Sequence, residues 1–256
     1  MQIDTHIIDQ YLTDKPLNLE SFPFPIDRCP LDPHRKEVVS ELKNRTKQAL
    51  TDFPGFNKDL YTTLFPSFLN YLENTRVILL VGSKHFFRKF VLGQNQYYVI
   101  DLIQCANMTS IVSQMMYLIL NTLHYETTCS YLKQVHPFHE SSYQAFLNYH
   151  SFVEGFATYL SWNKQAKDYH LYTDHYDQAR EKAFGTLYET YFIDSPNIQQ
   201  TILHSLSKLS FWEQFTTVSA LFYIDDIYRE HGKDGLYLLY QKGWSKWIET
   251  IFALPE

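Results

Sequence analysis

Residues 113–132 read SQMMYLILNTLHYETTCSYL, and this stretch decides how the chain is understood. Its apolar content and length predict a helix over 110–133. Within it, Tyr125 and Cys129 stand four residues apart with Glu126 between them. At 3.6 residues per turn their side chains share one helical face, about 40° apart. His124 lies five residues before Cys129, which turns it about 140° away on the same straight helix.

Downstream, residues 152–162 read FVEGFATYLSW and fall in a second helix expected over 143–163. Glu154 is its acidic residue. Gly155 and Ala157 are small enough to let this helix and the first approach closely. A glycine inside a helix costs about 1 kcal/mol against alanine, so a packing reason is expected for it. Further helices are expected over 174–191, with Thr173 and Asp174 as the N-cap, and over 198–209, 211–230, 234–241 and 245–251, with Gly232 as a stop. Upstream the pattern changes. Residues 76–81 (RVILLV) end at Gly82 as a buried strand would, and residues 96–103 (QYYVIDLI) follow a turn at 93–95 as a second strand. Residues 84–91 (KHFFRKFV) suit an edge strand or a loop. Helices are expected over 35–50 and after Pro54. Residues 1–35 carry Pro16, Pro23, Pro25, Pro30 and Pro33, which forbid a long helix and predict an extended arm or irregular cap. The expected architecture is α+β: a cap over 1–35, then one domain over 36–256 with a small sheet at about 76–103 and a helical lobe at about 110–251.

In order and spacing this chain resembles the gluzincin-like branch of the zincin metallopeptidases. YETTC at 125–129 takes the place of the HExxH helix, whose two histidines grip zinc from one face while the glutamate activates the metal-bound water. The segment around Glu154 takes the place of the E-G-x-A helix that supplies the third ligand. Residues 222–239 (FYIDDIYREHGKDGLYLL) resemble the closing helices, and the likeness covers about residues 70–250. Tyr125 and Cys129 replace both histidines. The resemblance therefore implies a zincin-like fold in which Glu126 is a vestigial general base and Tyr125, Cys129 and Glu154 line a cleft with no metal. Tyr125 is expected to fill the space of zinc and a histidine, with its hydroxyl on Glu154. The implied function is a catalytically inactive, metallopeptidase-like protein binding a peptide, protein or small ligand in the vestigial cleft. One alternative is an active metal-dependent peptidase or hydrolase with zinc on Cys129 and Glu154, joined by His150, which precedes Glu154 by four residues. Another is an enzyme using Cys129 as nucleophile with a histidine base. No Lys or Arg adjacent to Cys129 is visible in the sequence to lower its pKa. His136, His139, His170, His175 and His204 show no ligand spacing.

Composition narrows the partners. Twenty-two basic against 28 acidic residues give a formal charge of −6 without a basic block, which argues against a nucleic-acid surface. Cys29, Cys105 and Cys129 lie far apart with no CxxC pair, as in a reducing compartment. Residues 1–13 lack the apolar stretch of a signal peptide, and runs such as 77–81 are too short to span a bilayer. A cytoplasmic protein with no nucleic-acid or membrane partner is expected.

Overall fold

The computed structural model of the chain describes residues 1–173 and 176–253. Asp174, expected in an N-cap, and His175 lie outside the described residues. The protein is α+β, with one small mixed sheet and a majority of helix. It divides into two compact units, residues 1–58 with 66–123 and residues 59–65 with 124 onward.

The first unit holds the sheet, whose strands are β1 (Gln2–Asp4), β2 (Thr75–Leu80), β3 (Phe87–Leu92) and β4 (Asn95–Asp101) in the order β1-β2-β4-β3. β2 runs parallel to both β1 and β4, while β3 is antiparallel to β4. β2 is interior, and Val77, Ile78, Leu79 and Leu80 are all buried, so a continuous apolar run is what the position requires. The β3–β4 hairpin turns through residues 93 and 94, with Leu92 opposite Asn95. Gly93 has φ +61° there, the left-handed conformation a two-residue hairpin favours. Strand β4 is shorter than the sequence suggests. Asp101 ends it and caps α5 (Leu102–Met108), so residues 102 and 103 are helical.

Residues 1–35 are more than an arm. Gln2–Asp4 join the sheet as an edge strand, and α1 (His6–Leu12) buries Ile7, Ile8 and Tyr11. The prolines act only on the rest. From residue 13 to residue 35 the segment has no α-helix, only 3-10 turns at Leu19–Ser21 and Pro33–Arg35. Helix α2 (Lys36–Leu50) follows, burying Val39, Leu42, Thr46 and Leu50 on one stripe. Helices α3 (Lys58–Leu64) and α4 (Phe68–Glu73) precede β2.

Helix α6 (Val112–Val135) carries the chain from the first unit into the second. The second unit is built on α7 (Tyr143–Ser161), which is buried on nearly every side. Its polar residues act as clips. The Asn148 Oδ1 accepts the backbone N–H of Ile248 at 2.7 Å. The Ser151 hydroxyl donates to the Thr216 carbonyl at 2.8 Å and accepts the Trp247 indole N–H at 3.2 Å. These bonds satisfy groups that would otherwise cost about 1–3 kcal/mol each.

After α7 the chain continues through α8 (Lys164–Leu171), α9 (Asp177–Tyr191), α10 (Pro196–Leu206), α11 (Phe215–Gln241) and α12 (Trp247–Phe252), with α11 and α12 packed on α7. Helix α8 is not among the helices expected from the sequence; its N-cap is Asn163, accepting from the Ala166 N–H at 2.8 Å. Residues 215–241 are continuous except at Gly232, where φ +64° and ψ −158° break the helix at the expected stop. Among the described residues no helix is long and apolar enough to cross a membrane.

Candidate functional site

Two helices of the second unit build the site. On the second half of α6, Tyr125, Cys129 and Lys133 recur every four residues and so form one slowly turning stripe. On α7, Glu154 meets that stripe, with its side chain 14% exposed. The Tyr125 hydroxyl donates a hydrogen bond to Glu154 Oε2. Cys129 Sγ lies 3.8 Å from both carboxylate oxygens, and Lys133 Nζ lies 3.7 Å from Oε1. A phenol, a thiol and an ammonium thus converge on one carboxylate.

Glu126 is partly exposed and stands close enough to act electrostatically on both Cys129 and Lys133. Its place one residue after Tyr125 puts it about 100° round the helix, toward the Lys133 side of the stripe.

The charges follow from burial. The Tyr125 hydroxyl is pushed upward in pKa by burial first, then by Cys129 and Glu154, so it stays a neutral donor. Burial and then Glu154 push the Cys129 thiol well above its ordinary value, against the opposing pull of Lys133. A buried thiol facing a carboxylate is a poor nucleophile. Burial works to lower the Lys133 pKa, but Cys129 and Glu154 outweigh it and the net displacement is upward. No Lys or Arg adjoins Cys129 in sequence, yet Lys133 stands one turn further along the same face. The i, i+4, i+8 spacing was the signal that could have found it.

Lys133→Met is expected to cost less than about 1 kcal/mol, because the ammonium is half exposed and screened by water. The folded pKa lies above the ordinary 10.5, so the stabilisation is complete below that pH and is lost as pH rises through the folded value. Denaturant titrations should give a steady gap between wild type and variant from pH 7 to pH 10, reduced by salt. A gap that grows in 1 M salt would contradict the ion pair.

Zinc takes thiolate, imidazole or carboxylate donors. Without a metal the phenol and the thiol are both held in their neutral forms, with the Glu154 carboxylate beside them. The nearby histidines have hydrogen-bond partners of their own. His150 Nδ1 lies 3.1 Å from Thr216 Oγ1, and burial first pulls its pKa down, against Glu154. His124 Nδ1 lies 3.2 Å from the Tyr61 hydroxyl, which pairs with Thr128 at 2.7 Å, and burial lowers its pKa to about 3. His136 Nε2 lies 3.0 Å from the Tyr240 hydroxyl. Among the described residues no group of three or more His, Cys, Asp or Glu side chains is placed to hold a metal ion.

Gly155 does permit a close approach, but not to α6. A Cβ at residue 155 would stand 2.4 Å from Ala220 Cβ and 3.3 Å from Ile224 Cδ1, both on α11. Gly155 is turned about 100° from Glu154, so the two residues face different neighbours.

Set against protein-family models, curated proteins and solved structures, the chain matches none.

Proposed function

We propose that this chain is a metallopeptidase-like protein of zincin type in which hydrogen bonding has replaced the metal. In this reading the second unit keeps the two helices of a gluzincin-like centre and has lost its catalysis. The vestigial cleft, with Glu126 at its edge, serves to bind a peptide, protein or small ligand. The observation that carries the reading is the Tyr125 hydroxyl donated to Glu154. The residue in the place of the first histidine ligand reaches the residue in the place of the third. That is the contact expected if the phenol took over the volume and the positive partner once supplied by a metal. The order of elements supports it too, with β2, β4, α6 and α7 following one another along the chain.

The test is to restore the ligands. Tyr125→His together with Cys129→His puts two imidazoles on one face of α6, with Glu154 as third ligand and one coordination position left for water. The double variant is expected to bind zinc one-to-one in calorimetry. Either single variant should bind much more weakly, and adding Glu154→Ala should abolish binding. Activity need not return, because groups that orient ligating imidazoles are not provided by these substitutions. A folded double variant with no zinc affinity would sink the reading. So would stoichiometric zinc on protein purified without an affinity tag, held through Cys129 and Glu154.

A further inference from the structure

Far from that centre in sequence, the first unit gathers a carboxylate, an imidazole and a hydroxyl in line. His6 Nδ1 lies 2.7 Å from Asp4 Oδ1, and His6 Nε2 lies 3.1 Å from Ser21 Oγ. We propose that Asp4, His6 and Ser21 form an acyl-transfer site, with Ser21 as nucleophile, that takes small acyl esters from the adjoining groove.

The chemistry follows from the hydrogen bonds. A carboxylate has only acceptors, so Asp4 holds the proton of neutral His6 on Nδ1, and Nε2 turns its lone pair toward Ser21. The tautomer a general base needs is therefore the one this pair selects. Each member is fixed by the fold. Asp4 is the last residue of β1, in register with Ile78, and its Oδ1 also accepts the His6 backbone N–H at 2.9 Å. His6 opens α1, and Ser21 closes the 3-10 turn at Leu19–Ser21. The one Ser21 hydroxyl proton is donated to the Asn18 carbonyl at 2.7 Å, so rotation of the O–H alone must turn it to His6 Nε2 before attack.

Access and room are both present. The His6 and Asp4 side chains are 39% and 44% exposed, and Ser21 is exposed. All three line a groove of about 710 Å³ whose walls include Phe22, Arg76 and Tyr97. The Phe22 ring centroid stands 5.1 Å from that of His6, giving an apolar surface for an acyl group. The Arg76 guanidinium, 5.7 Å from the Tyr97 ring centroid, adds a cation to the groove wall.

In the acylation step, Ser21 Oγ forms a bond to the ester carbonyl carbon as its proton passes to His6 Nε2. The carbon–oxygen bond to the leaving alcohol then breaks, and that alcohol takes the proton from Nε2. Water repeats the sequence on the acyl-serine, releasing the carboxylic acid and restoring Ser21. Ester and water are the only reactants.

The test uses the full chain with 4-nitrophenyl acetate as substrate and a fluorophosphonate as covalent probe. The expected result is one fluorophosphonate per chain, located at Ser21 by peptide mass spectrometry, and nitrophenolate release above background. Ser21→Ala, a change at an exposed position, should abolish both with the circular dichroism spectrum unchanged. His6→Gln should slow acylation by about 100-fold or more. Asp4→Asn, which keeps an acceptor for the His6 backbone N–H, should lower kcat with KM unchanged if Asp4 positions the ring. Fluorophosphonate on other serines in place of Ser21, or ester hydrolysis that survives Ser21→Ala, would overturn the proposal.

Discussion

Asp101→Ala should lower the stability of the folded chain by about 2–4 kcal/mol. Asp101 is fully buried at the end of β4, and its two oxygens hold two different parts of the first unit. Oδ1 accepts the Gln104 backbone N–H at 2.8 Å and so caps α5, while Oδ2 accepts the Ser83 backbone N–H at 2.7 Å just beyond β2. Losing an N-cap costs about 1 kcal/mol. Leaving the Ser83 N–H buried without its acceptor costs about 1–3 kcal/mol more. The pH dependence has a definite sign. Burial pushes the Asp101 pKa from 3.8 up to about 6, only partly offset by the backbone N–H donors of Gln104 and Ser83. Between those values the native state binds more protons than the unfolded chain, so the contribution of this group to stability falls as pH rises from about 4 to 6. Alanine removes that term. The gap between wild type and variant in urea denaturation should therefore be wider at pH 4.5 than at pH 7. A loss below about 1 kcal/mol, or a gap that narrows on acidification, would refute the role assigned to Asp101.

The same residue shows what a sequence can and cannot disclose. Strand β2 was legible because both faces of an interior parallel strand are buried, which writes itself as an unbroken apolar run at 77–80. The end of β4 was not, because Leu102 and Ile103 continue the apolar pattern while an aspartate side chain, not hydrophobicity, starts the next helix. Strand β1 escaped because three residues offer no period to read, and because the prolines that mark the segment all lie beyond α1. At the candidate site, the i, i+4 spacing put Tyr125 and Cys129 on one face, and the family resemblance pointed to Glu154. The place of Lys133 was available from the same spacing, one turn on. The Ser21–His6 contact had no comparable signal. Its ends are 15 residues apart, at the start of α1 and the end of a 3-10 turn with an irregular stretch at 13–18 between them, and only the packed unit brings them together.

Gly155 carries the second large effect, and its reason also lies outside local sequence. Gly155→Ala should destabilise the protein by about 1–3 kcal/mol, although alanine is the better helix former by about 1 kcal/mol. The added Cβ would stand 2.4 Å from Ala220 Cβ, far inside van der Waals contact. An alanine methyl is fixed to its backbone and has no rotamer by which to move aside. The clash can be relieved only by moving α7 and α11 apart, and each contact along that seam then weakens as its atoms separate. Phe152 and Phe156 of α7 pack against Tyr240 of α11, and Ile224 lies over Gly155, so these buried side chains share the loss. Because Glu154 is the neighbouring residue, a displaced α7 also disturbs its contacts with Tyr125 and Cys129. Ala220→Gly alone should cost about 1 kcal/mol, the usual penalty of glycine in a helix interior. Combined with Gly155→Ala it removes the opposing methyl, so the double variant should recover most of the loss and reveal a coupling of about 1 kcal/mol or more in a double-mutant cycle. If Gly155→Ala is neutral, or if the two losses simply add, then α7 and α11 do not touch at these residues and the packing that sets the position of Glu154 is different.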